Sequence, residues 1–98
     1  MSTYVHLIDY TEEGIQNIEE GPDRMENVRE LAQEMGGELK DIYLTMGQCD
    51  AVAITEFPDD EAAARFLLTA SRMGASRSET LKAFPEDQFR EIIEGLPQ

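Results

Sequence analysis

Cysteine, histidine and tryptophan are nearly missing from this chain. Its 98 residues include one cysteine, one histidine and no tryptophan. With Cys49 alone, no disulfide can close within the chain and no redox pair exists. One His and one Cys cannot assemble a Cys/His zinc set, and no carboxylate run has calcium-loop spacing. Basic residues are scarce too: 8 Lys and Arg stand against 21 Asp and Glu, a net charge of −13. Those bases (Arg24, Arg29, Arg65, Arg72, Arg77, Arg90, Lys40 and Lys82) are scattered and form no patch. Phosphate backbones and anionic lipid surfaces attract clustered cations, so neither nucleic acid nor membrane is expected as a partner. No stretch approaches the ~20 apolar residues that span a bilayer. No basic region followed by an apolar run opens the chain. The expectation is a cytoplasmic protein without metal or cofactor. A phosphate-cradling glycine loop and a serine nucleophile motif are absent as well.

Hydrophobic residues make up 41% of the sequence, enough for one modest core. Residues 1–98 are expected to form a single domain. The acidity has two readings. One is solubility through like-charge repulsion. The other is adaptation to high salt, where screening relieves that repulsion.

Residues 3–10 have the Tyr, Val, Ile and Leu content of a strand. Both alternating sets contain apolar residues, which is how a central strand reads. A transition over 11–20 carries a short helical turn around Ile15 and Ile18. Gly21-Pro22 opens the first main helix, since proline suits a first turn. Met25, Val28, Leu31, Ala32 and Met35 form its inner stripe, and Gly36-Gly37 caps it. Residues 38–46 make the second strand, Gly47-Gln48 a tight turn, and 51–57 a third strand that is again apolar on both faces. Pro58-Asp59-Asp60-Glu61 opens a second main helix by placing negative charge at the positive end of its dipole. Its expected stripe is Ala63, Phe66, Leu67, Ala70 and Met73. Residues 76–84 read as a polar edge strand. Pro85-Glu86 starts a short terminal helix with Phe89, Ile92 and Ile93 on its apolar side.

The order βαββαβ plus a terminal helix predicts an α+β, ferredoxin-like fold: a four-stranded antiparallel sheet with both main helices on one face. Helices then cover one face only, while the central strands are apolar on both. A second copy of the chain is the natural cover, so a homodimer or higher homo-oligomer is expected.

The sequence also resembles the GYD domain family. The resemblance starts at Thr3-Tyr4-Val5, Asp9-Tyr10-Thr11 and Gly14-Ile15, and continues through Leu31-Ala32, Met35-Gly36-Gly37 and Tyr43. It is strongest over Gly47-Gln48-Cys49-Asp50-Ala51-Val52-Ala53-Ile54, then Glu56 and Pro58-Asp59-Asp60-Glu61-Ala62, and it closes at Thr80-Leu81-Lys82-Ala83-Phe84. Gly47 and Asp50 match the family's Gly-x-Tyr-Asp turn, with Cys49 in the tyrosine position. The resemblance implies a small dimeric α+β-barrel architecture and carries no defined reaction.

Five residues are candidates for a pocket: His6, Tyr4, Tyr43, Cys49 and Asp50. His6 lies mid-strand and suits a general base if it lines a cavity; a lone histidine is more often packed with its ring nitrogens satisfied. Cys49 has no adjacent cation to lower its pKa, so it reads as a small semi-buried thiol. Asp50 reads as a turn cap, with a catalytic carboxylate as the alternative. Tyr4, Tyr10 and Tyr43 are expected near one sheet face, where a phenol suits an interface or an aromatic ligand.

Two function classes follow. One is a non-enzymatic binding or assembly module that holds a small apolar or aromatic molecule. The other is a cofactor-independent oxygenase or isomerase using His6 or Asp50, a reading that rests on fold analogy. A pocket of ~300 Å³ or more between sheet and partner, containing His6 or Asp50, would favour the enzyme.

Overall fold

The computed structural model describes residues 1–98. Its elements are β1 (Ser2–Tyr10), α1 (Glu12–Gln16), a 3-10 turn (Ile18–Glu20), α2 (Gly21–Glu34), β2 (Glu38–Leu44), β3 (Ala51–Phe57), α3 (Asp60–Arg72), β4 (Ser76–Ala83) and α4 (Glu86–Glu94). The four strands form one antiparallel sheet in the order β2-β3-β1-β4. This is the ferredoxin-like arrangement that the element order predicts. The two strands with apolar residues on both sides, β1 and β3, are the central pair.

Local chemistry sets the element ends. Asp59 caps α3, its carboxylate accepting from the Ala62 N–H at 2.8 Å, and Asp60 and Glu61 fill the first turn. Pro22 sits in the first turn of α2, where its missing N–H leaves nothing unpaired. At the other end of α2, Gly36 takes a positive φ of 78° and the Gly37 N–H returns to the Ala32 carbonyl at 2.9 Å. Gly37 also lets the chain cross Phe57 closely: a Cβ there would meet the Glu56 carbonyl oxygen and the Phe57 ring at 2.3 Å.

Alternation divides the sheet into two faces. Tyr4, His6, Ala53, Thr55 and Phe57 point toward α2 and α3. The core joins Tyr4 and Phe57 to Leu31 and Ala32 of α2 and to Ala62, Ala63 and Phe66 of α3. The Phe57 and Phe66 rings lie 5.0 Å apart and tilted, a favourable aromatic contact. In β2 a bulge between Leu39 and Asp41 shifts the register, so Leu39 and Ile42 both face the helices. Met73, expected in the inner stripe of α3, is instead exposed beyond the last turn. No helix is long and apolar enough to cross a membrane.

Candidate functional site

The helix-covered side of the sheet is close-packed at one end and hollow at the other. The hollow is a cavity of about 330 Å³ between the sheet, the first half of α2 and the second half of α3. Its floor includes His6, Ile8, Ala51 and Ala53, and its roof includes Met25, Val28, Phe66 and Leu67. Exposed residues such as Asn27, Ser71 and Met73 are part of its lining, so it reaches the surface.

His6 stands where the cavity meets the packed core. Its imidazole lies 5.8 Å from the Phe66 ring. Nδ1 is 2.8 Å from the Thr80 hydroxyl, and Nε2 is 2.8 Å from the Thr55 hydroxyl. A neutral ring has one N–H and one lone pair, and two hydroxyls satisfy both. Burial holds the pKa down at about 4, so the ring is neutral at pH 7. It is a weak base with both nitrogens engaged.

The other candidates lie elsewhere. Tyr4 is in the packed core, and its hydroxyl donates to the Asp60 carboxylate. Burial, and next the bond to Asp60, push the phenol pKa above its usual value. Asp60 in turn is held below the carboxylate range, first by the Tyr4 hydroxyl and then by Lys82, whose Nζ is 3.0 Å away. Asp50 fastens the β2–β3 loop to β1: its Oδ2 accepts from the Tyr10 N–H at 2.9 Å, and its own N–H donates to the Ile8 carbonyl at 2.8 Å. Cys49 is half-buried in that loop, where its carbonyl accepts from the Thr45 hydroxyl at 2.7 Å. Tyr43 is on the opposite sheet face and 57% exposed. The expected gathering of the three tyrosines does not occur. Tyr4 and Tyr10 share the helix side, and strand alternation with the β2 bulge sends Tyr43 to the other. Of the five candidates, only His6 lines the cavity.

That opposite face has no helix over it. Its central rows run Tyr43, Val52, Leu7, Glu79 and Asp41, Ile54, Val5, Leu81 from edge to edge. Six of those eight side chains are apolar or aromatic. Charged residues lie above and below: Glu38 and Glu56 in the row on one side, Asp9 opposite Arg77 on the other. An apolar band with a polar rim is the anatomy of a protein interface. A second apolar surface is on α4, where Phe89, Ile92 and Ile93 are all about half exposed.

Sequence reasoning missed the residues that make the cavity. Ala51 and Ala53 on β3, and Ser76 and Ser78 on β4, are small residues at successive inward positions. Small side chains at inward strand positions are the available signal. Thr55 and Thr80 carried none, because only the sheet register places them beside His6.

Comparison with known proteins agrees with this architecture. The chain is 29% identical over 86 residues to a Thermus thermophilus protein named glutamine synthetase and cystathionine beta-lyase binding protein, covering 87% of this chain and 90% of that one. The crystal structure of TTHA0845, also from Thermus thermophilus, superposes with a TM-score of 0.56 at 23% identity, over 86% of this chain and 94% of that chain, a likeness of fold. The GYD domain model matches residues 4–93. The chain therefore belongs to the GYD domain family.

Proposed function

We propose that this protein is a non-enzymatic binding module that assembles as a homodimer through its open sheet face and engages other proteins. The observation that carries the reading is the apolar band of Val5, Leu7, Val52, Ile54, Leu81 and Tyr43. Burying such side chains stabilises an assembly by roughly 25 cal/mol per Å² of apolar area removed from water. An apolar sheet face of this kind can pack against its own copy in a two-fold contact. The apolar side of α4 adds a second contact surface at the end of the chain.

The partner class is suggested by the relative whose name records binding to glutamine synthetase and cystathionine beta-lyase. For this chain, glutamine synthetase is the first partner to test. The net charge of −13 favours a basic patch on the surface of such a heterologous partner.

The enzyme reading draws support from one feature, a cavity that contains His6. Against it, the cavity lies under this chain's own helices rather than between sheet and partner. Its histidine is held neutral by burial and bonded at both nitrogens. The Asp50 carboxylate accepts a backbone N–H and lies outside the cavity lining.

Native mass spectrometry of protein purified from its own host tests the proposal, followed by titration with that host's purified glutamine synthetase. A mass of two chains and a saturable complex are expected. A lone chain that ignores the enzyme would sink it.

A further inference from the structure

The helix-side cavity is a further place where a binding module can hold a ligand, and its chemistry is specific. We propose that it is a binding site for one small, uncharged, largely apolar molecule, up to the size of a phenylnaphthalene. This deepens the binding-module reading by locating the ligand beneath α2 and α3, away from the open sheet face.

The first argument is packing. Protein interiors are filled to the density of organic crystals, and atoms lining a void lose their dispersion partners. A space of about 330 Å³ is larger than any one side chain fills, and it falls within the usual range of ligand pockets. It arises from residue choice at consecutive inward positions. Ala51 and Ala53 on β3, and Ser76 and Ser78 on β4, keep the floor low on both sides of β1, and Ala70 does the same for the roof. One turn of α3 earlier, Phe66 closes the gap. The hollow is thus confined to one end of an otherwise filled layer.

The second argument is polarity. No buried side-chain nitrogen or oxygen lacks a hydrogen-bond partner. The one buried titratable wall group, His6, has both nitrogens engaged and is neutral. The polar groups of the floor include the Ser76 and Ser78 hydroxyls, while Ile8, Ile42, Val28 and Leu67 offer only hydrocarbon, so the lining suits a largely apolar guest. A pocket lined mainly by hydrocarbon, with a few polar groups among it, takes largely apolar guests.

The third argument is charge at the rim. The one cation there is Arg24, and its guanidinium is bound to Glu20 at 3.0 Å and to the Asn17 carbonyl at 3.2 Å. Glu13 adds a negative charge to the lining. In a chain of net charge −13, this rim disfavours an anionic amphiphile such as a fatty acid. Met25, at the same end, is a flexible side chain that adapts its shape to a guest.

The test is a fluorescence titration with N-phenyl-1-naphthylamine, an uncharged probe, on the intact chain at pH 7. Saturable binding of one probe per chain is expected. Ala53→Leu and Ala70→Leu should each weaken it by about tenfold or more by filling the space. Arg65→Ala, at an exposed position of α3 outside the lining, should leave it unchanged. In parallel, isoleucine methyl spectra of the unmutated protein report the location even if a filled variant does not fold. Ile8 and Ile42 should shift on probe addition, while Ile54 on the open face, and Ile92 and Ile93 on α4, should not. Absence of saturable binding, or shifts at Ile54, Ile92 or Ile93 instead of Ile8 and Ile42, would overturn the proposal. The mass of the protein, measured on the same samples, reports separately on the dimer.

Discussion

His6 and Thr80 stand directly opposite each other on β1 and β4, with the threonine hydroxyl 2.8 Å from the imidazole Nδ1. Thr55 holds the other nitrogen from β3. The only histidine of the chain thus ties together three strands in an uncharged state. Its pKa of about 4 lies below the ordinary 6.5, so the unfolded chain binds the extra proton first as pH falls. The contribution of the neutral ring is complete above pH 6.5 and is lost as pH falls from there toward 4. The shift corresponds to about 3 kcal/mol. Thermal melts from pH 7 to pH 4.5 should show a steeper loss of stability for the native chain than for His6→Gln. Parallel curves would show that the buried imidazole is not the source.

Tyr4 and Asp60 offer an independent check of the packed end. Tyr4→Phe removes the hydroxyl that is the main cause of the low Asp60 pKa. The variant should lose about 1 kcal/mol of stability. A carbon-detected titration should find the Asp60 pKa moved upward, with Lys82 still holding it below an ordinary carboxylate. An unmoved Asp60 would contradict the bond.

Two glycine substitutions should behave in opposite ways. Gly37→Ala drives a Cβ into the Glu56 carbonyl and the Phe57 ring, and should cost about 1–3 kcal/mol. Gly21→Ala meets nothing within 4 Å at a helical φ of −52°, and should be neutral or stabilising by up to about 1 kcal/mol. Denaturant melts of the pair decide this. Equal losses would mean that the α2–β2 corner is placed wrongly.

Phe89 and Ile93 project from α4 about half exposed. Phe89→Ser with Ile93→Ser should leave the circular dichroism spectrum nearly unchanged, because the fold of one chain does not depend on them. The same variant should raise the concentration at which the assembly dissociates. A melted chain with unaltered assembly would reverse that assignment.

The fold was legible because its cues are local. Asp59, Pro22 and Gly36 mark helix ends through capping chemistry, and the two-sided apolar pattern of β1 and β3 marks them as central. Nonlocal facts were hidden. The bulge in β2 depends on how Leu39 and Asp41 meet β3, and it contributes to separating Tyr43 from Tyr4 and Tyr10. The partners of His6 come from residues 49 and 74 positions away along the chain. The cavity is a property of what is not there, and only the assembled layer shows where small residues leave space. That one sheet face is apolar and uncovered was readable from the two-sided apolar pattern of β1 and β3; which β2 residues join it was not, because the bulge sets that.

Sedimentation equilibrium over a wide concentration range, comparing the native chain with Val5→Lys, addresses the open face most directly. Val5 lies between Ile54 and Leu81 in the middle of the apolar band and outside the packed core. The native chain should sediment with the mass of two chains or a multiple of it, and the variant as a folded single chain. A native protein that stays a lone chain at every concentration would contradict the account.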